Sequence, residues 1–324
     1  MDQHHASLAS RLLTAAAPLV LLLAAAPGCA ALGESTDGDD AEEQGAAVED
    51  GKTYTLWLHG RSPGTGAREG HYDDFSYWGP AEAATGVNPK AVNWDGGGSI
   101  SATNGAVRRA LDCFCTGNNW CYVVAHSAGN AQIGYALSMY GGSEREIKNG
   151  VADASGECGS TGGTQVGWNI QWVSVAGGAA GGTELANLGY WAVSDPLTSD
   201  LRTATVRSMY DHNQTRGAIF YMFPGAKGTL YSGVLPGQDD EVIAYHSAGG
   251  LSGTGKFCNP GNWFCDDELR LETEASKRGD TVVPKWSHHV TVFRDDDEAH
   301  DHYAHGAWGG IISVAREDAA LYAY

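Results

Sequence analysis

The 324 residues are 42% hydrophobic and 18% charged, and 39 acidic against 20 basic side chains give a formal net charge of −19. A chain of this length and apolar content can bury the core of one large α/β domain. Its acidity argues against nucleic acid and anionic lipid head groups as partners and favours a neutral substrate.

The chain begins with an apolar run over residues 12–27 that has the position and length of an export signal. The run is too short to predict a transmembrane helix. The stretch Ala26-Pro27-Gly28-Cys29 resembles the lipobox of bacterial lipoproteins, in which the cysteine is acylated and becomes the mature N-terminus. We therefore expect residues 1–28 to be a lipoprotein-type signal peptide, with ordinary cleavage one or two residues after Cys29 as the alternative. Both routes export the protein, which is then either anchored by lipid to the bacterial envelope or secreted.

An acidic segment separates this signal from the rest of the chain. Residues 30–51 contain eight Asp and Glu side chains and no Lys or Arg. Such a composition cannot bury enough apolar surface to become ordered. We expect a flexible tether over residues 29–52, followed by one folded domain over residues 53–324.

The first predicted strand of that domain, Tyr54–Leu58, runs into the turn His59-Gly60-Arg61. A second, Cys121–Val124, is short, apolar and β-branched, as a buried parallel strand should be. It leads into Ala125-His126-Ser127-Ala128-Gly129, which places a serine between small neighbours.

The pattern changes period after this serine. Apolar side chains recur at helical spacing as far as Tyr140, and Gly141-Gly142 supplies a helix stop. A sharp strand-to-helix turn raises the Ser127 hydroxyl above the sheet, beside the first N–H groups of the helix. The sequence thus predicts that Ser127 is a nucleophile.

Six cysteines remain once Cys29 is set aside, and an even number in an exported chain suggests disulfides. Cys258 and Cys265 bracket a turn-rich loop that one bridge can close. The other four can pair in three ways: Cys113, Cys115, Cys121 and Cys158. Three of them lack the usual zinc-ligand spacing, so no metal site is expected there.

Three more strands are predicted beyond a Gly- and Ser-rich stretch at residues 141–167: Ile170–Ala176, Ala218–Phe223 and Val290–Phe293. Ser313–Leu321 predicts a closing helix. Trp94, Trp263 and Trp308 fall in loops, where they are candidates for contacts with an acyl chain, and core packing is the alternative.

These motifs resemble the α/β-hydrolase superfamily, and bacterial lipases and esterases within it. Ala125 stands where the family motif G-x-S-x-G has glycine. The resemblance implies a mostly parallel central sheet with helices on both faces. It also implies an oxyanion hole formed by the backbone N–H groups of Arg61 and Ala128.

The resemblance further implies a triad acid and base, in the chain order serine, acid, histidine. Asp240 fits the register of the acid turn, with two apolar residues following it. Asp280 matches the family consensus more literally but lacks a good preceding strand, and Asp239 is a third candidate. The base is expected after the last strand: His302 is preferred because it follows an aspartate, and His305 is the alternative.

The sequence therefore predicts a carboxylic-ester hydrolase, lipase- or esterase-like, that acts through an acyl-serine on a neutral ester or lipid. The alternatives are an amidase or peptidase with the same triad, and a non-catalytic surface binding lipoprotein. No organic cofactor, nucleic acid or catalytic metal is expected. Contact with a membrane is expected only through the lipid anchor. The acidic run Asp295–Glu298 offers oxygen ligands for a structural Ca²⁺, although most such runs are simply solvated.

Overall fold

The computed structural model describes residues 51–78, 85–189, 193–225, 234–235, 239–250, 275–278, 281–292 and 310–324. Its strands are β1 (Thr53–Leu58), β2 (Pro89–Val92), β3 (Trp120–His126), β4 (Glu144–Ala152), β5 (Cys158–Val166), β6 (Ile170–Ala176), β7 (Ile219–Phe223), β8 (Ala275–Arg278), β9 (Thr281–Pro284) and β10 (His289–Thr291). Its helices are α1 (Ile100–Phe114), α2 (Ala128–Tyr140), α3 (Glu184–Gly189), α4 (Pro196–Asp200), α5 (Thr203–Met209), α6 (Tyr245–Ala248) and α7 (Gly310–Tyr322).

Six strands form a central sheet in the order β10-β7-β6-β3-β1-β2, and every neighbouring pair in it is parallel. The middle strands are nearly continuous apolar runs, as expected where both faces of a sheet are covered. In the register of β1 and β3, Leu58 lies opposite Ala125. The residues that follow these two strands therefore leave the sheet side by side, at its carboxyl edge.

The two faces of the sheet bury different helices, because successive side chains of a strand point to opposite sides. On one face, side chains such as Leu56, Val123 and Val175 pack with apolar residues of α1 and α2. On the other face, Trp57, Val124 and Ala176 pack with α7. Full burial of one such side chain contributes about 1.5–3 kcal/mol. Helices thus cover both faces, as the resemblance implied.

The stretch 141–167, which the sequence indicated only as Gly- and Ser-rich, contains an antiparallel hairpin of β4 and β5. Its side chains are mostly exposed, so the hairpin shows no apolar alternation. A second antiparallel pair, β8 and β9, forms a small sheet of its own. The closing helix α7 begins three residues before the predicted Ser313.

Two cysteine pairs connect the helix α1 to its surroundings. Cys113 pairs with Cys158 at the start of β5, with a Cα–Cα distance of 5.2 Å. Cys115 pairs with Cys121 in β3, with a Cα–Cα distance of 5.4 Å. These distances suit disulfides, and they select one of the three pairings that the sequence left open. The predicted Cys258–Cys265 bridge lies outside the described residues.

The described chain from residue 51 onward falls within one compact unit, Val48–Tyr324. The predicted signal peptide, Cys29 and nearly all of the acidic tether lie outside the described residues. In the part of the chain that the structure covers, no helix is both long and apolar enough to cross a membrane.

Candidate functional site

Ser127 occupies the turn between the central strand β3 and the helix α2. Its backbone has φ 53° and ψ −124°, a positive-φ conformation that is uncommon for any residue other than glycine. Such conformations persist only where the surroundings enforce them, and they concentrate at functional sites. The serine is 3% exposed and begins the helix at the carboxyl edge of the sheet.

Backbone hydrogen bonds fix this turn to the neighbouring strand β6. The Ser127 N–H donates to the carbonyl of Ala176 at 3.1 Å, and the Ser127 carbonyl accepts from the N–H of Ala179 at 2.9 Å. The preceding Ala125 is fully buried within the apolar core, where its extra methyl group is accommodated.

A parallel sheet covered by helices on both faces, with a strained serine between its central strand and the following helix, decides the architecture. This is the α/β-hydrolase fold.

Solved bacterial lipases and esterases are similar to this chain. EstA from Clostridium botulinum is 12% identical, with a TM-score of 0.47 over 86% of this chain and 88% of its own. Lipase 1 from Pelosinus fermentans is 11% identical, with a TM-score of 0.45 over 84% of this chain and 98% of its own. A Bacillus licheniformis lipase in its propeptide form is 17% identical, with a TM-score of 0.42 over 62% of this chain.

The present chain spans 44% of the length of that Bacillus licheniformis protein. No family model and no curated protein matches the chain. At identities of 11–17% the similarity concerns the fold alone.

The turn after β1 lies directly against the serine. A Cβ atom built on Gly60 would be 2.6 Å from the Ser127 Cβ and 2.9 Å from the Tyr77 hydroxyl. A Cβ built on Gly129 would be 2.6 Å from the carbonyl oxygen of Leu58. Real Cβ atoms do not approach so closely, so each glycine is required for this contact between the two turns.

His59 holds the same turn in place from the other side. Its Nδ1 lies 2.8 Å from the Gly60 carbonyl, and its Nε2 lies 3.2 Å from the backbone N–H of Trp94. A carbonyl only accepts and an N–H only donates, so His59 is neutral and carries its proton on Nδ1. Burial accordingly lowers the pKa of His59 to about 4.

Trp94 completes this clamp. Its ring stacks on His59 with 5.3 Å between centroids and 7° between planes, and its indole N–H donates to the His59 carbonyl at 3.0 Å. Trp94 is fully buried. It therefore packs in the core, the alternative that its loop position left open; Trp263 and Trp308 lie outside the described residues.

The two predicted oxyanion donors stand at equivalent places. Arg61 and Ala128 each lie three residues beyond the registered pair of Leu58 and Ala125. Ala128 is the first residue of α2, so its N–H has no partner within the helix. The Arg61 side chain is ion-paired with Asp195 at the start of α4, which ties this turn to the segment between β6 and β7.

Asp240 is fully buried in the segment that follows β7. Its Oδ1 accepts hydrogen bonds from the N–H groups of Val242 at 3.0 Å and Ile243 at 2.7 Å. Burial raises the pKa of this carboxyl well above its ordinary value, while these two backbone donors lower it. The hydrogen bonds fix the orientation of the carboxylate.

The other acid candidates differ in setting. Asp239 is also buried, and its Oδ1 accepts from the Glu241 N–H at 2.8 Å. Asp280 lies outside the described residues, between β8 and β9, which form a sheet separate from the central one. Of Asp240 and Asp280, only Asp240 lies in a segment that directly follows a strand of the central sheet.

The loop of Asp240 is attached to the segment after β6. The Thr183 hydroxyl donates to the Val242 carbonyl, and a Cβ on Gly181 would lie 2.6 Å from the Ser247 Cα. Arg207 reaches both sides, donating to the Gly181 carbonyl at 2.9 Å and to the Ser247 hydroxyl at 3.3 Å.

The predicted bases His302 and His305 lie outside the described residues, as does the acidic run Asp295–Glu298. The strand before them, β10, is described, and it pairs in parallel with β7 at one edge of the central sheet. Among the described residues, no three His, Cys, Asp or Glu side chains are grouped so that they could hold a metal ion.

One residue at this site, Tyr77, was missed by the sequence analysis. The Tyr77 hydroxyl lies 2.7 Å from Nδ1 of His126, the residue before the serine, and the Tyr77 ring lies 5.1 Å from the ring of His59. Tyr77 belongs to no motif, and it reaches the site only through tertiary folding.

Proposed function

We propose that this protein is a serine hydrolase of carboxylic esters, lipase- or esterase-like, in which Ser127 is the nucleophile. The observation that carries the proposal is the strained backbone of Ser127 at the end of the central strand, in contact with the glycine turn after β1. A serine held in this conformation presents its hydroxyl to a substrate from the start of a helix.

In the proposed reaction a histidine, His302 or its alternative His305, accepts the proton of Ser127 as Oγ attacks the ester carbonyl carbon. Negative charge develops on the carbonyl oxygen, where the N–H groups of Arg61 and Ala128 stabilise it. One such donor typically contributes about 3–4 kcal/mol. The bond to the alkoxy oxygen then breaks, and the histidine gives the proton to the leaving alcohol.

Water completes the cycle by hydrolysing the acyl-serine, with the same histidine as base and then acid. Asp240 is the proposed third member of the triad. A fully buried carboxylate is costly unless it is paired, and the imidazolium that forms during the reaction is a suitable partner. Its two backbone hydrogen bonds orient it before the histidine becomes charged.

The experiment that tests this function is hydrolysis of p-nitrophenyl esters from acetate to palmitate by the purified protein and three variants, Ser127→Ala, His302→Ala and His305→Ala. We expect activity in the wild type, loss with Ser127→Ala, and loss with one of the two histidine variants. The preferred chain length defines the substrate class.

Two results would favour one of the alternative functions. Hydrolysis of p-nitroanilide amides at a rate comparable with that of esters would favour an amidase or peptidase. A wild type that is as inert as Ser127→Ala on every ester and amide would contradict the proposed reaction and favour a binding role.

We also propose export with lipid attachment at Cys29, on the basis of the lipobox resemblance alone. Metabolic labelling with a palmitate analogue in a bacterial host should mark the wild type and leave Cys29→Ala unlabelled. Equal labelling of both proteins would contradict lipidation at this residue.

A further inference from the structure

Tyr77 connects the two turns that form the proposed oxyanion hole. Its ring lies 5.1 Å from the ring of His59, on which the ring of Trp94 also stacks at 5.3 Å. Its hydroxyl reaches the other turn, 2.7 Å from Nδ1 of the buried His126. The side chain therefore spans from the turn after β1 to His126, the last residue of β3 and the neighbour of Ser127.

This hydroxyl lies next to the point where the two turns touch. A Cβ atom placed on Gly60 would lie 2.9 Å from the Tyr77 hydroxyl and 2.6 Å from the Ser127 Cβ, so both groups are close to the same point. The hydroxyl and the serine Cβ are therefore separated by no more than the sum of those distances. Tyr77 as a whole is partly buried, and its hydroxyl contacts the fully buried His126.

The two N–H donors of the proposed hole come from different strands, and catalysis depends on the distance between them. At the contact between the turns, Gly60 approaches the Ser127 Cβ and Gly129 approaches the Leu58 carbonyl oxygen, so the spacing is set by backbone positions. Fixed donors act only if they stay about 2.7–3.1 Å from the developing oxyanion. The pairing of β1 with β3 sets the spacing of the two strand ends, and a cross-link between the turns adds a restraint on the two donors beyond them.

We propose that Tyr77 is a positioning residue of the oxyanion hole, which holds the turn of Arg61 against the turn of Ser127 through its hydrogen bond to His126. This inference rests on the proposed function. It predicts that the hydroxyl contributes to catalysis while the ring contributes to folding.

The test is the variant Tyr77→Phe, which keeps the ring on His59 and removes only the hydroxyl. We expect kcat for p-nitrophenyl butyrate to fall by about 10-fold or more, since small misplacements of catalytic groups are costly, and KM to stay unchanged. Inhibition by phenylboronic acid, which forms a tetrahedral adduct with a reactive serine, should weaken by the same factor as kcat.

Tyr54→Phe is the matched control. The Tyr54 hydroxyl donates to the Gly150 carbonyl at 3.1 Å in a buried setting, at the amino end of β1 and far along the strand from His59. We expect this variant to lose stability comparable to Tyr77→Phe and to keep the wild-type kcat. An equal loss of kcat in both variants would show that general destabilisation is responsible and would overturn the proposal.

A double variant with His126→Leu, which has no polar atom to replace Nδ1, tests the bridge itself. Both single changes remove the same hydrogen bond, so the combined loss of kcat should be little greater than the larger single loss. Additive losses, or a Tyr77→Phe variant as active as the wild type, would overturn the positioning role alone. A wild type that neither hydrolyses esters nor reacts with a phosphonate would instead overturn the proposed function, and this inference with it.

Discussion

Replacing Gly60 with alanine should inactivate the site while leaving the fold in place. The new Cβ would lie 2.6 Å from the Ser127 Cβ and 3.1 Å from the His126 carbonyl oxygen. Carbon atoms settle at about 3.5–4.0 Å from one another. The turn after β1 must therefore withdraw from the serine by about 1 Å, a misplacement that typically costs about 100-fold in rate.

The assay is kcat/KM for p-nitrophenyl butyrate, measured beside a thermal unfolding curve. Gly105→Ala is the control, because a Cβ there meets only the Arg108 guanidinium at 3.9 Å in the middle of α1. It should keep full activity and gain about 0.5–1 kcal/mol of stability from improved helix propensity. A folded Gly60→Ala protein with kcat/KM close to the wild-type value would refute the claim that the reaction requires the close contact between Gly60 and Ser127.

Two further outcomes are expected. Asp240→Asn should lower kcat by roughly 10⁴-fold, as loss of a triad acid does in serine proteases. Asp239→Asn should affect mainly stability. A loss of kcat with Asp239→Asn but not with Asp240→Asn would make Asp239 the triad acid instead. Burial lowers the pKa of His59 to about 4, of His212 to about 3 and of His289 to about 4, whereas these groups titrate near 6.5 when unfolded. The unfolded chain therefore binds more protons in this range, and stability that is complete above pH 6.5 is lost as the pH falls towards 4, by about 1.4 kcal/mol per pH unit for each histidine. Denaturant titrations of the wild type and His212→Phe check this: the variant should show a shallower loss between pH 6.5 and 4, and identical slopes would contradict neutral burial of His212.

Local pattern was sufficient for the elements that carry the serine. The apolar run Cys121–Val124 and the helical spacing up to Tyr140 predicted β3 and α2, and the predicted strand Ile170–Ala176 matches β6 in both bounds. The strands are buried on both faces and the helix along one side, so their apolar residues follow the spacing that each element buries. The predicted α/β-hydrolase fold is confirmed by the sheet that they form.

The β4–β5 hairpin could not be recognised in the same way. Its strands are exposed, and glycines with positive φ at Gly150, Gly162 and Gly163 interrupt them, so neither alternation nor β-branched enrichment marks the pairing. The hairpin depends instead on tertiary contacts with α1 and on the Cys113–Cys158 pair.

The helix α1 carried a usable signal that was overlooked. Ile100, Val107, Leu111 and Phe114 are buried and recur at helical spacing. Tyr77 carried none, because its importance lies in contacts with His59 and His126, each distant in sequence. The choice between His302 and His305 stays a prediction, since no local pattern separates two histidines in one loop.

The central claim is that Ser127 is the nucleophile. Its most direct test is reaction of the purified protein with a fluorophosphonate, followed by mass spectrometry of the peptide that contains this serine. We predict one adduct per chain on Ser127 and concurrent loss of esterase activity, with neither adduct nor activity in Ser127→Ala. Labelling and activity that persist in Ser127→Ala would contradict the account.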